Sequence, residues 1–498
     1  MSATVRLGLE RISTLASHLP KFTRPTCHIA GTNGKGSVAA ILSSILLESS
    51  LSVGRYNSPH LVEVHDCIAV NGESISYDAY KKARDVVEEA DRKHTCGASS
   101  FELLTMTALI AFEQARVDIV VLEVGMGGRL DATNCIPDPV VLVSALTSVD
   151  LDHQRFLGST TAAITREKAA IARNQVPFVL GAQKHSDVGL VARETVEKLG
   201  GIFLNAPRVH HHHRDNESSL DVSALLSGEG GATPSQSIRF SILPFPQAIE
   251  AALPLPGDHQ LDNMGIAAGI ISSLLTSPRP GLPFDLASKI TPTSVATGIQ
   301  KTRWPGRLSF HAIRSLSLEE TLPKMVLADG AHNRASANTL SAYVHQLLCN
   351  LPADSHINLT YLLALSHSPP KTPIDTLTPL LAAPHPSHIR VHVRVACLPF
   401  SPPAGMPWVT PVPPADLARC VEQLAPNMRQ SDVYLPGSED PRSSLHDALR
   451  WAHRQGTSGS GQQCFDLVVV AGSLYLVADF YRLLAEEGLE DGLRGTKG

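Results

Sequence analysis

A glycine-rich segment between an apolar strand and an apolar helix constrains the fold of this chain more than any other feature. Residues 27–30 read Cys-His-Ile-Ala, which predicts a buried strand. The next seven residues are Gly31, Thr32, Asn33, Gly34, Lys35, Gly36 and Ser37. Apolar residues then recur at helical spacing, at Val38, Ile41, Leu42, Ile45 and Leu46. A strand, a glycine turn and a helix in this order predict an α/β domain.

The same segment contains the groups that a phosphate site needs. Glycines let backbone N–H groups approach phosphate oxygens, the helix N-terminus adds partial positive charge, and Lys35 supplies a point charge. The spacing departs from the general nucleotide-binding loop, because Ile29 stands at the first glycine position and the Ser37 hydroxyl comes one residue late. A turn that merely links strand to helix is the alternative. No Asn-Lys-x-Asp segment, which would read guanine, occurs in the sequence, so ATP is the expected nucleotide.

Two series of alternating strands and helices follow along the chain. The first has strand-like runs at residues 26–30, 117–124, 140–149 and 176–182, and the second at 324–328, 358–365, 389–397 and 465–471. The alternation predicts an N-terminal nucleotide-binding α/β domain with a mainly parallel sheet, residues 1–318, and a Rossmann-like α/β domain, residues 319–498.

Residues 206–238 interrupt this pattern with histidines, acids, serines and glycines. Their low complexity predicts a surface insertion that supplies no core. The histidines His210, His211, His212 and His213 could bind a transition metal, but a solvated loop is the simpler interpretation.

Composition limits the kind of partner. The formal net charge of -5 offers no basic excess for nucleic acid or an anionic membrane surface. The eight cysteines are scattered and never form Cys-x-x-Cys, which is typical of reduced thiols rather than of a disulfide framework. The longest apolar run, residues 467–484, contains Asp479 and Arg482 and is too polar for a bilayer span. We expect a cytoplasmic monomer that acts on small molecules, with a mitochondrial location as the alternative.

Eight segments carry a family resemblance. They are the glycine-rich segment, Ser58-Pro59-His60-Leu61, residues 122–134, Leu151-Asp152-His153, residues 166–170, residues 256–263, Trp304-Pro305-Gly306-Arg307 and residues 329–333. In this order they resemble the folylpolyglutamate synthase and dihydrofolate synthase family, the folate branch of the Mur-type ligases. Residues 62–68, 405–408 and 471–476 look more like fungal dihydrofolate synthases. Polyglutamylating members usually show Glu-Arg-Ile where Asp66-Cys67-Ile68 stands here.

The resemblance implies a reaction. ATP would drive ligation of L-glutamate to 7,8-dihydropteroate through an acyl phosphate, which gives dihydrofolate, ADP and phosphate. Polyglutamylation of reduced folates, or both activities together, is the alternative within the family. A nucleotide-binding protein without ligase turnover is the alternative outside it.

The resemblance also implies roles for individual residues. The catalytic residues would be Lys35, Glu123, His153 and Lys168. Two Mg²⁺ ions, with room for a monovalent cation, would be held by Ser37, Glu123, His153 and Lys168, the last as a carbamate. ATP would contact the glycine-rich segment and Asn263, Arg307, Asp329 and His332. The pteroate would contact Ser58, Pro59, His60, Leu61, Arg129 and Asp131.

Two of these roles have plain alternatives. Glu123 follows the apolar residues 119–122, where a carboxylate suits a hard cation, but a buried ion pair with Arg129 would also explain it. Lys168 could be a solvated charge on a helix face.

Overall fold

The computed structural model describes residues 7–212, 221–227, 234–277, 285–313, 322–323, 325–367, 372–403, 409–454 and 464–486. Its contacts divide the chain into two compact units. Unit 1 contains residues 1–213 and 235–304, and unit 2 contains residues 214–234 and 305–498. The expected boundary at residue 318 lies outside the described residues, and residues 305–313 belong to unit 2 because they include a strand of its sheet.

The described strands are β1 (Thr26–Ala30), β2 (Val53–Tyr56), β3 (Ile68–Val70), β4 (Glu73–Ser74), β5 (Ile119–Glu123), β6 (Val141–Leu146), β7 (Pro177–Leu180), β8 (Ile202–Asn205), β9 (His210–His211), β10 (Gln236–Phe240), β11 (Ile249–Leu253), β12 (Ser309–Ala312), β13 (Met325–Ala328), β14 (His356–Leu363), β15 (Arg390–Cys397), β16 (Val433–Tyr434) and β17 (Cys464–Ala471).

The described α-helices are α1 (Glu10–Ser17), α2 (Lys35–Glu48), α3 (Tyr77–His94), α4 (Ser100–Ala115), α5 (Gln154–Leu157), α6 (Thr161–Ala169), α7 (Ser186–Lys198), α8 (Val222–Ser227), α9 (His259–Thr276), α10 (Leu286–Lys289), α11 (Pro292–Gln300), α12 (Arg334–Cys349), α13 (Pro373–Leu381), α14 (Pro414–Leu424), α15 (Pro441–Arg454) and α16 (Leu474–Glu486).

The main sheet of unit 1 has the strand order β4-β3-β2-β5-β1-β6-β7-β8. The six strands from β2 to β8 in that order are parallel, and β3 and β4 form an antiparallel edge. Every residue of β5 is buried, as expected for a parallel strand that is covered on both faces. Ile119 and Val121 pack in the core that contains α2 and α9, whereas Val120 and Leu122 pack in the core that contains α3 and α4. The prediction of a mainly parallel sheet is confirmed.

A second, antiparallel sheet of unit 1 has the order β11-β10-β9. Its strand β9 contains two of the clustered histidines. The His211 Nε2 atom lies 3.1 Å from Asp258 Oδ1, and the His212 Nε2 atom lies 3.4 Å from Glu250 Oε1. His213 lies outside the described residues.

Part of the low-complexity stretch supplies core, contrary to the prediction. Helix α8 places Val222, Leu225 and Leu226 in the apolar core of unit 2. The prediction was wrong here because these three apolar residues recur at helical spacing within an otherwise polar stretch, and average composition hides them.

Unit 2 contains one described sheet with the order β12-β13-β17-β14-β15-β16. Strand β12 is antiparallel to β13, and the remaining pairs are parallel. This is the second α/β domain that the sequence predicts. Within the described part of the chain, no helix combines the length and the apolar character needed to cross a bilayer.

Candidate active site

The carboxyl ends of neighbouring parallel strands in unit 1 form the candidate site. Strands β2, β5, β1, β6 and β7 are adjacent, so the loops that follow them lie along one edge of the sheet. The strand register places Ile29 beside Glu123 and Ala30 beside Leu146. The glycine-rich segment therefore begins between the ends of β5 and β6.

Residues 31–37, which we call the phosphate loop, lead into an open helix N-terminus. Gly34 precedes α2 with φ 92°, a left-handed conformation that favours glycine, and a Cβ atom there would overlap Asn263 Oδ1. Among the described residues, no side chain caps α2, so the N–H groups of its first turn remain available to an anion. The loop itself is anchored by the Thr32 N–H, which donates to Ser148 O at 2.8 Å.

Lys35 and Glu123 lie close together in this candidate site. The Lys35 ammonium lies 3.7 Å from Glu123 Oε1, and it donates to the carbonyl oxygens of Gly31 and Thr32 at 3.2 and 3.3 Å. Both side chains are nearly buried, with exposed fractions of 14% for Lys35 and 7% for Glu123. Opposite charges in a poorly solvated place interact strongly and hold each other in a fixed geometry.

Asn57 is a site residue that sequence reasoning missed. Its side-chain N–H donates to Glu123 Oε2 at 2.6 Å, so the amide orients the carboxylate from the side opposite Lys35. Asn57 directly follows β2, and its position at the carboxyl end of a parallel strand is the signal that could have identified it.

Lys168 is buried rather than solvated, so the alternative of a surface charge is wrong. It lies on α6 with 3% exposure, and its ammonium donates to Gly31 O at 2.8 Å. Burial, helped by the positive charge of Lys35, lowers the pKa of Lys168 to about 7, although the charges of Asp152 and Asp131 oppose the shift. The amines of Lys35 and Lys168 therefore both donate to the Gly31 carbonyl oxygen, and burial favours the neutral form of Lys168.

His153 lies in the loop after β6, just before α5. Its backbone is in the left-handed region with φ 49°, and about half of its side chain is exposed. The His153 Nε2 atom lies 3.9 Å from Asp152 Oδ2. Asp152 also faces Lys168 closely enough to raise the pKa of that amine, so the loop brings carboxylate charge toward the buried lysine.

Gln183 holds the start of the same loop, and sequence reasoning missed it as well. Its side-chain oxygen accepts from Val149 N at 2.9 Å, and its amide donates to Thr147 O and Gly181 O at 3.0 Å. On the other side, the backbone N–H of Asp150 donates to the Thr32 hydroxyl oxygen at 3.1 Å. The loop after β6 is thus fixed between the phosphate loop and the loop after β7. No local sequence pattern reveals such a contact, because the partners are distant in the chain.

The loop after β5, residues 125–135, is tied to α6. The Arg129 guanidinium lies 2.9 Å from Glu167 Oε1, and the Arg129 backbone N–H donates to Glu167 O at 2.8 Å. Asp131 is buried and accepts from the backbone N–H groups of Met126 and Thr133 at 2.8 and 3.0 Å. Burial raises the pKa of Asp131, and these hydrogen bonds oppose that shift. The loop is therefore held by hydrogen bonds within itself and by contacts with α6.

Three predicted nucleotide residues form a cluster within unit 2. Asp329 follows β13, and its carboxylate accepts from Leu308 N and Ala331 N, each at 2.8 Å. Burial raises the pKa of Asp329, and the charge of Arg307 opposes this. The His332 Nδ1–H donates to Gly330 O at 2.8 Å. The fourth, Asn263, lies in unit 1 against Gly34.

Comparison with known proteins identifies the family. A model described as "Dihydrofolate synthetase, C-terminal domain" matches residues 314–483. A dihydrofolate synthetase from Saccharomyces cerevisiae is 34% identical, over 96% of this chain and 98% of the relative. The chain belongs to the folylpolyglutamate synthase and dihydrofolate synthase family. A probable dihydrofolate synthetase from Schizosaccharomyces pombe is 30% identical, over 96% of this chain and 99% of that relative.

A solved structure of the same family has the same fold. A folylpolyglutamate synthase from Mycobacterium tuberculosis, solved with ADP and AMPPCP, aligns with a TM-score of 0.71 and 25% identity. The alignment covers 96% of this chain and 95% of that chain. The two α/β units are therefore those of the folylpolyglutamate synthase and dihydrofolate synthase family.

Residues 62–67 form a hydrogen-bonded turn after β2. The Asp66 carboxylate accepts from Val62 N and Glu63 N at 3.1 and 2.7 Å, and Cys67 is buried. Burial raises the pKa of the Cys67 thiol, so this position is neutral. Four residues just before the turn are predicted to contact the pteroate. His60 is buried, Ser58 and Leu61 are partly buried, and Pro59 is exposed. Residues 405–408, another segment of the resemblance, lie outside the described residues.

Proposed function

We propose that this chain is a dihydrofolate synthase, which uses ATP to join L-glutamate to 7,8-dihydropteroate and releases dihydrofolate, ADP and phosphate. One observation carries the proposal. The open N-terminus of α2, the Lys35 ammonium and the Glu123 carboxylate meet in one place, in a chain that matches two dihydrofolate synthetases over nearly its whole length.

The charges explain why such a site suits this reaction. A carboxylate must approach the γ-phosphate of ATP to form an acyl phosphate, and both groups are negative. Lys35 and the first-turn N–H groups of α2 would bind the phosphates and reduce that repulsion. Asn57 and Lys35 hold Glu123 in one orientation, so little reorganisation is needed when substrates bind.

The residues present fit a magnesium site that is completed by phosphate oxygens. Among the described residues, no three His, Cys, Asp or Glu side chains group closely enough to hold a metal by themselves. Mg²⁺ commonly binds in this way, through one or two carboxylates together with substrate phosphates and waters. Glu123 and Ser37 would hold one Mg²⁺ and His153 a second, and bound Mg²⁺ would neutralise phosphate charge.

Lys168 has the environment that a carbamate needs. Only a neutral amine attacks CO₂, and the lowered pKa of Lys168, about 7, makes that form accessible. The Thr147 hydroxyl is buried close to Gly31 and has no hydrogen-bond partner in the described structure. A further polar group beside the phosphate loop could form a hydrogen bond with this hydroxyl. These two facts support Lys168 as an additional oxygen ligand in the loaded enzyme.

The remaining substrate contacts follow from the loops. The loop at residues 125–135, with Arg129 and Asp131, and the turn at residues 58–61 would bind the pteroate. Arg307, Asp329 and His332 are the proposed nucleotide contacts of unit 2, and Asn263 is the proposed nucleotide contact of unit 1. A folylpolyglutamate synthase is the second candidate, supported by the likeness to the mycobacterial enzyme. The turn at Asp66 and Cys67, in which the buried Cys67 thiol is neutral, favours dihydrofolate synthase.

The choice of acceptor tests the proposal directly. Purified protein is given ATP, Mg²⁺ and labelled glutamate, with either 7,8-dihydropteroate or tetrahydrofolate as acceptor. We expect labelled product with dihydropteroate, and ADP release that requires acceptor and glutamate together. Labelling of tetrahydrofolate instead would favour polyglutamylation. ADP release that ignores both co-substrates would contradict ligase function.

Lys35→Ala tests the phosphate site itself. Loss of this charge should lower kcat by at least about 100-fold, because it removes charge stabilisation at the transferring phosphoryl group. Lys82→Ala, on the exposed face of α3, is the matched control and should keep wild-type activity. Circular dichroism should be the same for both variants. An active Lys35→Ala enzyme would contradict the assignment.

A further inference from the structure

His28 is a buried polar residue that the proposed chemistry does not use. It lies in β1, fully buried, three positions before the phosphate loop begins. Its Nε2 atom is 2.9 Å from the hydroxyl oxygen of Thr133, which is also fully buried. The Thr133 hydroxyl in turn donates to Asp131 Oδ1 at 2.6 Å. A chain of three side chains therefore runs from β1 into the loop at residues 125–135.

The proton positions in this chain follow from counting donors. The Asp131 carboxylate faces the backbone N–H groups of Met126 and Thr133 and the Thr133 hydroxyl, so it acts as an acceptor. A hydroxyl has one proton, and Thr133 gives it to Asp131. The hydroxyl oxygen must therefore accept from His28, which requires a proton on Nε2.

The other ring nitrogen agrees with this tautomer. His28 Nδ1 is buried and has no hydrogen-bond partner in the described structure, as expected for the unprotonated nitrogen of a neutral ring. Burial, together with the smaller effect of the Arg173 charge, lowers the pKa of His28 to about 3. The His28 ring is therefore neutral throughout the physiological pH range, and its Nε2–H donates to the Thr133 hydroxyl oxygen.

We propose that His28 is a positioning residue for the pteroate acceptor: its Nε2–H holds the Thr133 hydroxyl on Asp131 and so fixes the loop that meets the acceptor. The inference rests on the proposed function and deepens it. The phosphate loop has separate anchors in Ser148 and Lys168, so loss of the His28 contact should affect the acceptor rather than ATP.

Two substitutions of similar size separate this role from simple packing. In His28→Gln the side-chain amide nitrogen can take the place of Nε2 and still donate to Thr133. In His28→Asn the amide lies near the position of Nδ1 and falls short. We expect His28→Asn to raise KM for dihydropteroate about five- to tenfold, the usual effect of one lost hydrogen bond. KM for ATP should remain within about twofold of wild type, and His28→Gln should largely restore KM for dihydropteroate.

Thr133→Val is the second test, and it does not depend on the folding of a β1 variant. It removes the hydroxyl that links His28 to Asp131, and it should raise KM for dihydropteroate. KM for dihydropteroate in the double variant His28→Asn/Thr133→Val should be no higher than in the single variant with the higher KM. Both substitutions break the same series of hydrogen bonds, so their effects should not add. Equal KM values for His28→Asn and His28→Gln, or parallel changes in KM for ATP and acceptor, would overturn the proposal.

Failure of the proposed function would look different. If the wild-type protein labels tetrahydrofolate instead of dihydropteroate, the function as proposed fails. The same four variants are then compared with tetrahydrofolate as acceptor, and the role of His28 stands or falls on that KM pattern.

Discussion

At the scale of single residues, burial changes what Lys168 can do. A solvated lysine is a cation at neutral pH, whereas this one lies beside a second ammonium in a poorly solvated place, and its pKa falls to about 7. The shift also makes the stability of the protein depend on pH. Between the lowered pKa and the ordinary value of 10.5, the unfolded chain binds a proton that the folded chain does not. Folding is therefore favoured as pH rises through this window and disfavoured as it falls.

Lys168→Met should remove this pH dependence. In metal-free and CO₂-free buffer, the stability of wild type relative to Lys168→Met should increase from pH 7 to pH 9, by up to about 1.4 kcal/mol per pH unit. Urea unfolding midpoints at several pH values give the comparison. Lys198→Met, at an exposed lysine of α7, should leave the pH profile of wild type unchanged. Parallel profiles for wild type and Lys168→Met would show that the amine is not shifted in the folded state.

The sequence analysis named Lys35 and Glu123 as candidate site residues, and it did not name Asn57, Gln183 or His28. Lys35 and Glu123 could be predicted because a glycine-rich turn and a charged residue after an apolar run are local patterns. Gln183 and His28 act through contacts with residues distant in the chain, which leave no local pattern. Local patterns therefore predict charged groups of the candidate site, and tertiary structure reveals the groups that contact them.

At the scale of elements, the strands of the parallel sheets were the most predictable. Residues 26–30 were predicted as a strand and form β1, because buried parallel strands are short, continuous apolar runs. Strand β8 was not predicted. It lies at the edge of the sheet, and its residues Ile202 and Leu204 are exposed, so it lacks the burial on both faces that is typical of the inner parallel strands. Asn333 belongs to residues 329–333, one of the segments that carry the family resemblance, and it also caps helix α12. Its side-chain oxygen accepts from Ser336 N at 2.9 Å.

Asn333→Ala tests that cap. The N–H groups of the first turn of α12 would lose their side-chain acceptor, and we expect unit 2 to be destabilised by about 1 kcal/mol. Thermal unfolding followed by circular dichroism should show a lower midpoint for this variant. Asn350→Ala, at the exposed C-terminal end of the same helix, changes the same residue type without removing an N-terminal cap and should have a much smaller effect. Equal midpoints for the two variants would contradict the capping role.

At the scale of the whole molecule, the chain does not pass from unit 1 to unit 2 in a single step. Residues 214–234 belong to unit 2 and residues 235–304 return to unit 1, and this route was not predicted. Sequence patterns give the order of elements along the chain, but they do not say which core buries a short apolar helix. Helix α8 packs against β13 and β17, so a segment that reads as an insertion is part of the core of unit 2.

Leu226→Ala should therefore weaken unit 2 although the residue lies between two stretches of unit 1. Leu226 is buried, and truncation of such a side chain leaves a cavity that costs about 2–4 kcal/mol. Hydrogen–deuterium exchange should show faster exchange of the backbone amides in β13 and β17, and unchanged exchange in β1 and β5. The reason is that the cavity would lie in the core that α8 shares with β13 and β17. Ser223→Ala, on a less buried side of α8, should leave all four strands protected as in wild type. Faster exchange in β1 and β5, or none in β13 and β17, would mean that α8 does not stabilise unit 2.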